Sequence, residues 1–216
     1  SFVACKNTSP TEQLELLIAK YEKSREYDFK RGESLESTTK YYATESEFAK
    51  NLKEELEVLA MEGLSETDKI SAELLKFVLQ DKIDQHTFKM YLNPITNESA
   101  FHLRLSRMAN KAFKNEKQIK EYLKQLDNLP KRVDYNIDLL KAGVKAGISQ
   151  PVAVFYEYNK TYDKHIVADV TKSEFYKPFL KLPASLSKAF KDSVIGVAKS
   201  SVQKNAVDQY KKIKAF

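Results

Sequence analysis

The chain has 216 residues, enough for one domain with an ordinary core, and its 42% hydrophobic and 31% charged residues suit a soluble helical protein, not a disordered or membrane one. Five glycines and six prolines leave too little turn material for an all-β fold. The formal charge of +6 rests on 31 lysines and five arginines, with no finger, RRM or helix-turn-helix pattern beside it; it reads as solvated helix faces, excludes a nucleic-acid reader and is compatible with weak attraction to an anionic membrane surface.

The first ten residues, SFVACKNTSP, look like the end of a bacterial lipoprotein signal: small or apolar residues, Ala4 before Cys5, then a polar run. On this reading Cys5 becomes the lipidated first residue of the mature chain and residues 1–10 are signal remnant and tether. The other reading is an incidental free thiol. With one cysteine, no internal disulfide can form.

Residues 11–216 read as one helical domain. Ser9 with Glu12 starts a helix to about Lys30, with Leu14, Leu17, Ile18 and Tyr21 on its apolar side. Residues Arg31 to Tyr42 read as a loop. Thr44 with Glu47 repeats the capping spacing before a stripe of Phe48, Leu52, Leu56 and Leu59, which Gly63 stops. Ser65 with Asp68 opens a third helix carrying Ile70, Leu74, Phe77, Val78 and Ile83, and Asn93-Pro94 breaks it before position 95.

A helix is expected over Phe101 to Ala112, burying Leu103, Leu105 and Met108. The stretch Glu121 to Phe155 reads as helix, break, helix, break, helix, and as a local packing nucleus. Ile119, Tyr122, Leu123 and Leu126 share one face; Pro130 starts the next helix; Val133, Ile137, Leu140 and Val144 continue the stripe; Gly147 ends it at positive φ; Pro151 opens a third helix. Asn159 to Thr171 reads as an irregular connection. The segment SEFYKPFLKLPASL reads as a packed aromatic corner. A final helix beginning at Ser185 or Ser187 carries Phe190, Val194, Val197, Val202, Val207 and Tyr210 toward Phe216. The expected fold class is all-α, a multi-helix array of antiparallel hairpins with about seven to nine helices and irregular proline-containing connections.

No catalytic, cofactor-binding or metal-ligating residue emerges from spacing. His86, His102 and His165 are far apart in sequence, with no pair one helical turn apart, and no nucleophile elbow, phosphate loop or Cys-x-x-Cys pair is present. Adjacent Glu54 and Glu55 do not face each other on a helix. Tyr156, Tyr158 and Tyr162 are spaced to lie near one helix face, either lining a peptide or glycan groove or packing in the core with hydroxyls at the rim.

Four segments resemble, in order, the bacterial domain of unknown function 885: MYLNPITNES from Met90; EYLKQLDNLPKRVDYNIDLLKAGVKAGISQP from Glu121; SEFYKPFLKLPASL from Ser173; and the closing DQYKKIKAF. The similarity covers roughly Tyr91 to Phe216, the first 90 residues matching in helical character only. It implies a mostly helical fold akin to zincin-like peptidases. That family's zinc segment, a His-Glu followed by Pro-Gly-His, lies downstream of the position equivalent to Phe216 and has no counterpart in this sequence. Where the family often has a basic residue after the proline that follows Gly147, this chain has Val152.

The resemblance thus implies the non-catalytic N-terminal helical portion of a larger exported, lipid-anchored zincin-like peptidase or related hydrolase, truncated near residue 216. The expected setting is the cell envelope, with a lipid anchor at Cys5, a peptide substrate and zinc in the full-length protein only. The alternative is a helical envelope scaffold or binding module without chemistry.

Overall fold

Side-chain caps set where the helices begin. Ser9 and Glu12 form the expected reciprocal pair, Glu12 N–H donating to Ser9 Oγ at 3.2 Å and Ser9 N–H to Glu12 Oε2 at 2.8 Å. Ser34, Ser65, Asn115 and Ser187 each accept from the backbone N–H three residues on. The structure is a computed structural model and describes residues 8–26, 33–96 and 99–216. Among them the helices are α1 (Pro10–Glu26), α2 (Leu35–Glu57), α3 (Glu66–Thr87), α4 (Phe101–Leu105), α5 (Glu116–Asp127), α6 (Leu129–Lys145), α7 (Lys160–Asp163), α8 (Lys188–Val202) and α9 (Asp208–Ala215). Seven of these have eight or more residues, and the described residues contain no strand, so the fold is all-α. Cys5, Gly32 and the expected end of the first helix at residues 27–30 lie outside the described residues.

The chain forms two compact units, Ser1–Tyr91 and Leu92–Phe216. In the first, α2 and α3 pack as a hairpin with α1 against both, around Leu14, Leu17, Ala49, Leu52, Leu56, Leu75 and Leu79. A buried Glu45 carboxylate on α2 is paired with Lys82 on α3.

Three expectations fail in this unit. Residues 35–42 are the start of α2, not loop, because the Ser34–Ser37 reciprocal cap begins the helix and the Thr44–Glu47 spacing falls inside it. That first half buries Thr38, Glu45 and Ser46, so its inward face is polar and has no apolar period to read. The helix also ends earlier, α2 stopping at Glu57 with Gly63 in a separate 3₁₀ turn, Met61–Gly63, although Leu59 still joins the core beyond its end. On α3 the buried face is Ala72, Leu75 and Leu79, while Ile70, Leu74 and Phe77 are 62, 60 and 74% exposed. Both sets have helical spacing; contact with α2 selects between them.

In the second unit α5 and α6 meet with Asn128 as the single residue between them, and Pro130 sits in the first turn of α6, where no N–H is needed. α5 packs on α8 and α6 on α9. A π-turn, Gln203–Val207, joins α8 to α9 and lets Asn205, Ala206 and Val207 all be buried in succession. Asn205 Nδ2 donates to Asp127 Oδ1 at 2.8 Å, fastening that turn to the end of α5. The proline-aromatic segment is the expected packed corner: Phe175, Tyr176 and Phe179 are buried around a 3₁₀ turn, Lys177–Leu180.

Gly147 ends α6 at φ +73°, as expected. Leu126 and Ile137 are buried, Leu123 and Leu140 half-buried, but Val144 is 68% exposed, because Leu139 and Gly143 carry the inward face at that end of α6. Pro151 opens no third α-helix; a 3₁₀ turn, Val152–Phe155, follows it. The helix expected over Phe101 to Ala112 stops at Leu105 and continues as a 3₁₀ turn, Ser106–Ala109. Leu105 is buried and Leu103 and Met108 half-buried. Val197 faces outward on α8.

Denaturant melts at neutral pH test this packing. Leu126→Ala should cost about 2–5 kcal/mol by leaving a cavity. Gly143→Ala should cost about 1–3 kcal/mol, because an added Cβ would lie 2.8 Å from the Leu92 carbonyl oxygen. Gly147→Val has open space and should lose about 1 kcal/mol or more from strain at positive φ alone. Lys145→Ala should stay within about 0.5 kcal/mol; an equal loss in Leu126→Ala would reject the nucleus.

Candidate functional site

Within residues 92–216 a cavity of about 340 Å³ opens at the C-terminal end of α6. Ile137, Leu140 and Val144 of α6 form one wall, Phe101 and His102 of α4 another, and Phe155, Tyr158 and Tyr162 a third; Ile213 and Lys214 come from α9. The chain reaches this arrangement through local geometry. Gly147 turns it off α6, and Ile148 N–H donates to Gly143 O at 2.8 Å, bringing residues 148–150 to the cavity rim. Glu157 adopts φ +51°, a left-handed conformation uncommon for a side chain of its size, between exposed Tyr156 and inward Tyr158.

The three tyrosines therefore do not share a helix face. Tyr156 is solvent-exposed, whereas Tyr158 and Tyr162 are half-buried lining residues. The rings are set nearly perpendicular: Phe155 to Tyr158 at 5.4 Å and 88°, His102 to Tyr158 at 5.4 Å and 82°, and His102 to Tyr162 at 6.1 Å and 66°. Such edge-to-face contacts set the positive rim of one ring against the negative face of another.

His102 is 1% exposed, and its hydrogen bonds define its tautomer. Thr161 has one hydroxyl proton and donates it to Tyr158 O at 2.6 Å. The same oxygen, 2.8 Å from His102 Nε2, therefore accepts, so the imidazole carries its proton on Nε2 and a lone pair on Nδ1. Nδ1 and the Tyr158 hydroxyl are buried and have no hydrogen-bond partner among the described residues. Burial, helped by the field of His165, lowers the His102 pKa from 6.5 to about 4, and burial together with Tyr162 pushes Tyr158 up to about 12. Both side chains are uncharged at neutral pH.

His165, 2% exposed, lies beside this group, its ring 4.3 Å from that of Tyr210, whose hydroxyl donates to His102 O at 2.7 Å. Two histidines distant in sequence thus converge on one tyrosine. Burial holds the His165 pKa below its ordinary value, outweighing the upward pull of Glu174, 3.6 Å from Nδ1. His86 is half-buried on α3, in the other unit. Among the described residues no three His, Cys, Asp or Glu side chains converge to hold a metal ion. His102 Nδ1 is free, but the only carboxylate paired with either histidine is Glu174, 3.6 Å from His165 Nδ1, so the pair lacks the converging ligand set of a zinc centre among the described residues. The lining of the cavity carries one cation, Lys214, whose Nζ lies 2.7 Å from Asp163 Oδ1.

A family model described as bacterial protein of unknown function (DUF885) matches residues 27–216. The chain belongs to this family. The match extends well upstream of the four motifs and takes in most of the first unit. No curated protein and no solved structure matches the chain.

The buried histidines predict an acid limit to stability. Both have lowered pKa values when folded, so the unfolded chain binds more protons below pH 6.5; their contribution is complete above 6.5 and is lost as pH falls through the folded values, about 4 for His102. Urea melts should weaken by up to about 1.4 kcal/mol per pH unit for each histidine in that window. His165→Phe keeps a ring against Tyr210 and Phe175 and removes two buried nitrogens that have no hydrogen-bond partner among the described residues. It should retain stability at pH 7 and show a shallower slope below 6.5; an unchanged slope would exclude His165 as a contributor.

Proposed function

We propose that this chain is the non-catalytic helical portion of an exported, lipid-anchored protein of the zincin-like peptidase type, and that residues 92–216 help to receive its substrate. The observation that carries the reading is the cavity at the end of α6, a concave, mainly apolar site with a few convergent polar groups, which is the usual form of a ligand pocket. The peptidase class comes from the resemblance of the motifs around Met90, Glu121, Ser173 and Asp208. Membership of the DUF885 family over residues 27–216 supports treating those motifs as parts of one pattern.

On this reading zinc is held by another part of the protein, and this chain supplies a substrate-facing wall. Cys5 carries the acyl chains that attach the protein to the outer side of a membrane, since several chains give stable anchoring where one does not. Among the described residues no helix is long and apolar enough to cross a membrane.

A second reading, a helical envelope scaffold or binding module, is favoured by one feature. Ile70, Leu74 and Phe77 expose an apolar stripe at helical spacing on α3, a surface of the kind that proteins use to meet partners.

Peptide hydrolysis and zinc content, measured on the protein encoded by the whole gene and on residues 1–216 alone, separate the two readings. Zinc-dependent cleavage by the first and none by the second is expected. Failure of the whole protein to bind zinc or cleave a broad peptide panel would leave the scaffold reading. Metabolic labelling with a fatty-acid probe should mark the natural protein, and Cys5→Ser should abolish both label and membrane fractionation; an unlabelled, soluble natural protein would reject the anchor.

A further inference from the structure

We propose that the cavity at the end of α6 binds an uncharged aromatic group of the size of a tyrosine or tryptophan side chain. This names the ligand class for the proposed substrate-receiving role and rests on that role, but not on peptide cleavage.

Size is the first argument. An apolar protein cavity of about 150 Å³ holds benzene, and this one, at about 340 Å³, has room for a bicyclic ring with its attached chain. Access is the second, because Val144 and Phe155 are lining residues that also face solvent, placing apolar groups at the mouth.

Charge narrows the class. Lys214 is matched by Asp163 at 2.7 Å, leaving no net charge for an ionic ligand to answer. His102 and Tyr158 are neutral because burial disfavours their charged forms. An anion or cation entering would lose its hydration without gaining a free counter-charge, a cost that an uncharged ring does not bear.

Ring geometry selects aromatic over aliphatic occupants. Phe155, Tyr158, Tyr162 and His102 already stand edge-to-face at 5.4–6.1 Å, so the wall presents both ring edges and ring faces. A further ring continues that packing through its quadrupole, whereas an aliphatic group gains dispersion alone.

The chain contains no tryptophan, so the emission of added indole can be followed without interference from protein indole. Indole titrated with the 216-residue chain should show a saturable blue shift. Indole-3-acetate, an anion, tryptamine, a cation, and cyclohexanol as an uncharged non-aromatic competitor should each bind at least about tenfold more weakly. Val144→Asp places a charge at the rim on an already exposed position in the last turn of α6. It should weaken indole about tenfold while the chain stays folded with its helix content retained, melting slightly lower because a carboxylate opposes the helix dipole there. Val197→Asp, exposed on α8 and away from the cavity, should bind as the parent does. The proposal is overturned by absence of a saturable shift, by comparable binding of the charged or aliphatic probes, or by Val144→Asp binding indole as the parent does. Indole binding without hydrolysis by the whole protein would remove the peptidase reading alone, and hydrolysis without indole binding would remove this inference alone.

Discussion

Two buried tyrosine hydroxyls hold the second unit together. Much of residues 92–216 lies outside regular helix, and a buried backbone carbonyl there costs about 1–3 kcal/mol if nothing donates to it. Tyr122 on α5 donates to Phe175 O at 2.9 Å, and Tyr210 on α9 donates to His102 O at 2.7 Å. The first joins α5 to the proline-aromatic corner and the second joins α9 to the short helix α4, each across a long stretch of chain. Around them the rings of Phe113, Tyr122 and Phe179 pack at 5.2–5.6 Å, so the same side chains supply both apolar burial and the polar tie.

The cavity is a consequence of those ties. With Tyr210 fixing the backbone at His102, the imidazole is set into the cavity wall, and its Nε2–H to Thr161 secures the segment bearing Tyr158 and Tyr162. The left-handed turns at Gly147 and Glu157 then bring the two ends of the 148–158 connection toward that wall. The result is a preorganised apolar surface with neutral polar tips, suited to holding a group in place.

The first unit has a different logic. Its three helices bury a short leucine-rich seam, supplemented by the Glu45–Lys82 pair between α2 and α3. A buried ion pair is weak evidence of net stability, but losing one partner leaves a charge without compensation, so the pair penalises any alternative alignment of the hairpin. The outward row of Ile70, Leu74 and Phe77 contributes nothing to this seam, which sets it apart from the core.

How far the fold was legible follows from the range over which each signal acts. Ser9, Ser65 and Ser187 as caps, Pro130 in a first turn, the positive φ of Gly147 and the corner at Phe175 to Phe179 were readable, because each is decided within about one helical turn or by steric limits of the residue itself. The all-α class was readable for the same reason, from scarce glycine and proline and from apolar spacing. The early start of α2 was hidden because its inward face is polar, and the buried face of α3 because two apolar rows compete and only the partner helix chooses. The convergence of His102 and His165 on Tyr210, the tautomer of His102 and the cavity itself depend on residues distant in the chain. Sequence alone determined local conformation and helical class. Tertiary packing decided which faces are buried and where the site lies, since burial depends on the opposing surface, and no single segment contains it.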